Sequence, residues 1–481
     1  MSAEMNQNRR ILTNTTLLAV ARLTDRASRM LLAFFVARML HATGLGLYTA
    51  AMVYYELIAI AAETGSTTLL VREIGKDRSK TNTYVTHLCL IALVVSATLV
   101  ALFLGVLPFL HFTDEMAISL RVIAFAVVPG VLKTIQEGVF IAHQRMEFAT
   151  YTTFLAALAN IGLSLFLLFR GYGILSLIVA FVVGQYIVMI LYSYFISKYI
   201  APLRWVVDFT FLIQLAREVK TFAALAVFSG LFSRPEIIIL SLVSTAAHVG
   251  FYSAALKVIN VWQLFPQIYM MNVFPVLSQT YLTGNPELYR ILDRSIKYLL
   301  ALSLPVMVGI IVAADSILVV LYGPGFQASV IPLRLLAVSV PLQALSAVLW
   351  RVLVARGQQA LVLRALAANT LAELVGGYFL ISAWASLGAA IISPLIFVTY
   401  VVSLALYVRK GGTRLRITAL GWRFAVASVA MGALILPLSH RLTLWSLVPL
   451  ASAMYVGLAI LLRAFSPDDS ASRQDLAAGS A

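Results

Sequence analysis

Between Thr13 and Arg463 the chain is a succession of apolar segments, each about as long as a bilayer is thick. Crossing some 30 Å of hydrocarbon takes about 20 helical residues. Fourteen segments meet that length: 13–39, 47–71, 83–109, 117–142, 150–169, 174–197, 220–243, 250–275, 296–320, 329–355, 360–382, 386–408, 421–438 and 443–463. Composition agrees, with 61% hydrophobic residues and 11% charged against about 25% charged in soluble domains. The sequence therefore predicts an all-α polytopic membrane protein of about 14 transmembrane helices.

The net charge of +15 invites a nucleic-acid reading, which the distribution of the bases rejects. They sit between apolar segments and form no basic domain. With the N-terminus placed in the cytoplasm, and bases within three residues of a span end counted with the adjoining loop, inside segments hold 22 Lys/Arg and outside loops three, Arg38, Arg170 and Arg441. That asymmetry places both termini in the cytoplasm. Arg9-Arg10 ahead of Ala19-Val20-Ala21 imitates a signal peptide, but Thr13 to Thr16 interrupt its apolar core, so no cleavage is expected. Cys89 stands alone, and the six histidines lack metal-site spacing, so neither a disulfide nor a metal centre is expected. Without a P-loop motif, the chain has no ATPase of its own.

Two pairs of segments repeat. "GLYTAA" (Gly46–Ala51) matches "GFYSAA" (Gly250–Ala255) at four of six positions. "RVIAFAV" from Arg121 and "FIAHQR" near Ala142 align with "RLLAVSV" from Arg334 and "LVARGQ" near Ala355. The offset contains six spans, an even number, so the halves run parallel. The expected organisation is a six-helix lobe over 1–200, a second over 201–410, helices 13 and 14 over 411–464, and a disordered cytoplasmic tail over 465–481. Substrate then belongs in a central cavity between lobes that alternate access.

The stretches "ARMLHATGLGLY" (Ala37–Tyr48), "LLVREIGKD" (Leu69–Asp77), "VGFYSAALKV" (Val249–Val258) and "LYGPGFQASVIPLRLLA" (Leu321–Ala337) carry a resemblance. In order, over residues from about 10 to 410, they resemble polysaccharide flippases of the multidrug/oligosaccharidyl-lipid/polysaccharide exporter superfamily. One departure is His41, where such proteins usually carry glycine. The resemblance implies a V-shaped pair of lobes that moves an undecaprenyl-pyrophosphate-linked sugar repeat unit across the bacterial inner membrane, for surface polysaccharide assembly. Its partners would be that anionic lipid-linked oligosaccharide, membrane lipids and other polysaccharide assembly proteins.

Charges inside the spans are the candidate site. Arg22, Arg26 and Arg29 share one helical stripe, with Asp25 placed to neutralise part of it. A charge facing lipid costs about 2.5 kcal/mol or more, so these residues should line a wet cavity or meet partners. An interfacial turn before the helix is the alternative, but Met30 to Leu40 alone is too short to cross. Lys257, Arg351 and Arg234 are further candidates for binding substrate. Lys133 and Glu137 are spaced as a structural pair. The spans hold ten bases against seven acids, and a cationic lumen suits an anionic guest, because arginine grips phosphate oxygens bidentately.

Glu56 and Glu63, seven apart on one helix face, together with Asp25, are candidates for H⁺ or Na⁺ coupling or for static salt bridges with the first-helix arginines. Pro129, Pro266 and Pro341 are candidate hinges. Tyr48, Tyr54, Tyr55, Trp262, Tyr269 and Tyr378 offer faces to sugar rings and equally fit packing or interfacial roles. Two rival functions remain. A multidrug or cation antiporter on the same architecture would favour an acidic cavity. A membrane polysaccharide polymerase or ligase would need a large outside loop, and the outside loops here have about ten residues or fewer.

Overall fold

The computed structural model describes the backbone of residues 2–63, 65–202, 207–218, 234–282, 287–412, 415–439 and 442–465. It describes the side chains of the same residues except 2–23, 25, 26, 281, 282, 287 and 288. Among the described residues every regular element is a helix. In chain order these are α1 (Ser2–Glu63), α2 (Ser66–Lys76), α3 (Thr81–Val106), α4 (Asp114–Ala124), α5 (Val127–Ala142), α6 (Met146–Phe169) and α7 (Ile174–Tyr199). α8 covers 209–218. Then follow α9 (Pro235–Val243), α10 (Ala246–Trp262), α11 (Leu264–Leu282), α12 (Glu287–Tyr322), α13 (Val330–Ala337), α14 (Ser339–Ala355), α15 (Gln359–Lys410), α16 (Ile417–Ile435) and α17 (Leu444–Leu461). Ten stretches of the described residues are long and apolar enough to cross a bilayer. The chain is a multi-pass helical membrane protein.

Two helices are too long for one crossing. α15 has 52 residues and would run about 78 Å if straight, more than twice the hydrocarbon thickness. It breaks at Ala385 (φ 47°, ψ −122°). A Cβ on Gly388 would lie 2.0 Å from the Leu380 carbonyl oxygen, so the two limbs fold back into contact. α1 breaks in the same way at His41 (φ 56°, ψ −164°). Split at these residues, α1 and α15 supply the first, second, eleventh and twelfth spans read from the sequence. All fourteen fall chiefly on helix, apart from the portion of the seventh outside the described residues.

One boundary differs. The sequence carries the second span on to residue 71, whereas α1 ends at Glu63 and Gly65 adopts the left-handed conformation (φ 70°). Glycine reaches that region without a Cβ clash and so terminates the helix. The chain restarts as α2, short and amphipathic, which buries Leu69, Leu70 and Ile74.

The three hinge candidates share a position. Pro129, Pro266 and Pro341 each lie in the first turn of a new helix, α5, α11 and α14, just after an interruption. Proline lacks the N–H that would continue the ladder, and the first turn is where that loss costs least. Before Pro129 the chain tightens into i→i−3 bonds, Phe125 N–H to Val122 O and Ala126 N–H to Ile123 O. Val338 N–H to Leu335 O does the same before Pro341.

The chain divides into two compact units, Met1–Gly250 and Phe251–Ala481. The first packs around Leu70, Leu88, Val131, Ile135, Phe140 and Tyr192 of α2, α3, α5 and α7. α8 joins this core through Leu215, and His87 of α3 accepts a hydrogen bond from the Asp208 N–H just ahead of it (2.9 Å). Also within this unit, Gly46 and Gly250, partners in the sequence repeat, meet across a helix contact. A Cβ on Gly46 would stand 1.7 Å from the Ala246 carbonyl oxygen, and one on Gly250 1.9 Å from that of Ala42. The second unit packs α11, α12, α14 and α15 around Leu300, Val348, Leu349 and Leu404. α16 and α17 close against α12 through Phe424, Ala427 and Met431.

Candidate functional site

The fold-back at His41 decides where the first-span charges lie. Arg29 is twelve residues before the break and Glu56 fifteen after it, about 18 and 22 Å along their limbs. They therefore meet: Arg29 Nη1 donates to Glu56 Oε1 at 3.1 Å. The side chains remain 49% and 42% exposed, so the pair borders open space.

Arg29 also lines a cavity of about 170 Å³ inside the first unit. The α1 limb before His41 contributes Ser28, Arg29 and Leu32, and the limb after it Tyr48 and Tyr55. α5 contributes Lys133. α6 presents Thr153, Ala157 and Asn160, and α7 presents Phe181, Gly184, Gln185 and Val188. These spacings of three, four and seven are single helical stripes. One approach is close, since a Cβ on Gly130 of α5 would lie 2.3 Å from the Tyr55 hydroxyl and would displace that side chain.

Polar contacts fix the lining. Lys133 Nζ donates to Gln185 Oε1 at 2.9 Å, and the Ser164 hydroxyl donates to Asn160 Oδ1 at 3.2 Å. The Thr153 and Tyr192 hydroxyls are 3.1 Å apart, and Tyr192 donates onward to the Ala149 carbonyl at 3.3 Å. The Tyr55 and Phe181 rings meet edge to face with centroids 5.2 Å apart. Among the described residues the cavity lining contains two bases and no acid, with Glu56 as the ion-pair partner of Arg29. An anion that displaces Glu56 meets both bases, and low-dielectric walls strengthen the attraction.

Among the sequence candidates, Arg29 lies at this cavity and Glu56 is its ion-pair partner. The side chains of Arg22, Asp25 and Arg26 lie outside the described residues. Glu63 closes α1, two turns beyond Glu56. Arg234 precedes α9 and is not in the cavity lining. In the second unit Lys257 is partly buried in α10. Arg351 of α14 donates to the Ala347 carbonyl at 2.9 Å and lies over the Trp350 ring at 4.6 Å. Lys133, paired by spacing with Glu137, reaches Gln185 on another helix.

Of the six aromatic candidates, Tyr48 and Tyr55 line the cavity. Tyr54 is a buried packing residue whose hydroxyl meets that of Ser241 at 3.1 Å. Trp262 stacks on Phe265, Tyr269 donates to Ser295, and Tyr378 is exposed. Asn160 and Gln185 were not legible as site residues from charge counting. The available signal was that each is the one amide side chain in its apolar helix.

A family model described as "Polysaccharide biosynthesis protein" matches residues 11–281. A curated relative, the probable low-salt glycan biosynthesis flippase Agl15 of Haloferax volcanii, is 26% identical over 231 residues, 48% of this chain and 49% of that protein. The match thus spans about half the length of that relative. Among solved structures, the lipid II flippase MurJ in an inward closed conformation superposes with TM-score 0.75 at 14% identity, over 93% of this chain and 99% of that one. An inward-facing multidrug resistance MATE transporter gives 0.67 at 15% identity, over 84% and 98%. A MOP superfamily transporter from Pyrococcus furiosus, reported with a reverse polarity of its binding pocket, gives 0.54 at 15% identity, over 85% and 94%. At these identities the structural likenesses show the fold.

Proposed function

The chain belongs to the polysaccharide biosynthesis protein family, and from that premise we propose that it is a flippase for a lipid-linked oligosaccharide. The cargo is an undecaprenyl-pyrophosphate-linked repeat unit, carried across the bacterial inner membrane by alternating access, with both termini in the cytoplasm. The relative from Haloferax volcanii, itself described as a probable glycan biosynthesis flippase, supports this reading. The observation that carries it is Arg29, retained in a membrane-spanning limb at a cavity with Lys133 and no acid among the described lining residues.

In this reading an anionic group of the cargo exchanges partners with Glu56. An empty site holds Arg29 against that carboxylate, and an arriving oxyanion takes the guanidinium in a bidentate grip. The displaced Glu56, with Glu63 and Asp25, is then placed to take up H⁺ or Na⁺. Arg22 and Arg26 guide the pyrophosphate head group into the protein, while Arg234, Lys257 and Arg351 offer it further cations. Pro129, Pro266 and Pro341 serve as the hinges. The chain acts as a transporter and catalyses no bond making or breaking.

Deleting the gene is expected to leave lipid-linked repeat units on the cytoplasmic leaflet. The wild-type gene should clear them, and Arg29→Gln should fail to do so while the protein stays in the membrane. Normal surface glycan in the deletion strain overturns the proposal. The likeness to MATE transporters keeps drug export as a second reading, which predicts that the same deletion sensitises cells to cationic drugs.

A further inference from the structure

We propose that the first-unit cavity is a recognition pocket for a single acidic sugar ring, one hexuronate unit of the transported glycan. The proposal rests on the glycan-transport reading and goes beyond it by assigning the ligand of this cavity. Size sets the first limit. Pockets for drug-sized ligands start at about 300 Å³, and about 170 Å³ admits one ring rather than an oligosaccharide.

The polarity of the rim sets the second. Ser164 occupies Asn160 Oδ1 and Lys133 occupies Gln185 Oε1, so both amides are oriented with their NH₂ groups as the donors left to present. The space beside Asn160 is kept by Gly184, where an added Cβ would lie 3.5 Å from Nδ2. With the Arg29 side chain, which an arriving anion draws from Glu56, and the Lys133 side chain, the described lining presents four donor-bearing side chains from α1, α5, α6 and α7. Donors from four helices converging on one small space suit a carboxylate, which only accepts.

The walls distinguish a sugar acid from the bare lipid head group. Tyr48, Tyr55 and Phe181 line the cavity, giving apolar faces that suit the C–H side of a pyranose and do nothing for a pyrophosphate. Thr153 adds an acceptor. Because Tyr192 donates onward to the Ala149 carbonyl, the Thr153 hydroxyl donates to Tyr192, which leaves its lone pairs to receive a sugar hydroxyl.

The test is calorimetric titration of the purified full-length protein in detergent with D-glucuronate, D-glucose and inorganic pyrophosphate. Glucuronate is expected to bind at least about tenfold more tightly than glucose. The isosteric changes Gln185→Glu and Asn160→Asp each turn a donor into an anion and are expected to weaken glucuronate binding about tenfold or more. Their thermal unfolding without ligand should stay near that of the wild type, and one folded variant of the two suffices. Equal binding of glucose and glucuronate overturns the proposal. So does the absence of glucuronate binding by folded wild-type protein, or unchanged binding in a folded variant. Pyrophosphate binding that exceeds glucuronate binding and is lost in the same variants makes the cavity a head-group site, and the flippase reading then stands without this inference. If the deletion strain accumulates no lipid-linked glycan, it is the flippase reading that has failed.

Discussion

His41 holds a backbone conformation, φ 56° and ψ −164°, that belongs almost wholly to glycine. A side chain there costs about 1–3 kcal/mol. The His41 side chain is exposed, so its packing contributes little in return. The break has to occur at this residue, because it sets the register that brings Arg29 to Glu56. His41→Gly is therefore expected to stabilise the protein by about 1 kcal/mol, after the loss of about 0.5–1 kcal/mol to the greater freedom of unfolded glycine. Thermal unfolding in detergent checks this, and a lower midpoint for the glycine variant contradicts it. The Arg29–Glu56 pair, open on both sides, is worth about 0–1 kcal/mol as a salt bridge. Stability alone gives little reason to hold these charges within the bilayer.

Helix contacts repeat the same dependence on small residues. Gly46 lets α1 approach the carbonyl of Ala246 so closely that a Cβ would overlap it. Relief would require backbone movement, which costs more than the typical 1–3 kcal/mol of overpacking. Gly46→Val is expected to reduce the yield of folded, detergent-soluble protein several-fold, while Gly105→Val, at a position with open space, leaves it unchanged. Size-exclusion profiles of the two variants decide the matter. Elements of this kind were readable in advance to different degrees. The spans were legible because bilayer thickness fixes helix length, and the glycine repeat was legible because both copies survive in sequence. The end of α1 at Gly65 was not, since Leu69, Leu70 and Val71 carried the apolar window across the short polar run from Glu63 to Thr68. Asn160 and Gln185 escaped notice because neutral amides do not enter a charge count, and their role depends on which faces of α6 and α7 meet α5.

At the scale of the whole molecule, the bilayer imposes one requirement and the cargo another. Lipid demands uninterrupted apolar helices, met by ten crossing-competent stretches among the described residues. The proposed anionic cargo would demand cations within them, and Arg29 and Lys133 at the first-unit cavity supply such groups. These demands conflict, because each buried base costs free energy in lipid, and the conflict is why the bases were visible in the sequence at all. Family membership accounts for glycan biosynthesis as the setting, and the cavity supports the proposal that the cargo is anionic. The most direct measurement is the transfer rate of a lipid-pyrophosphate-linked oligosaccharide across proteoliposomes containing wild-type protein, Arg29→Gln or Lys133→Gln. The account predicts transfer by the wild type and at least about tenfold slower transfer by each variant at equal protein incorporation. Equal rates in all three preparations would contradict it.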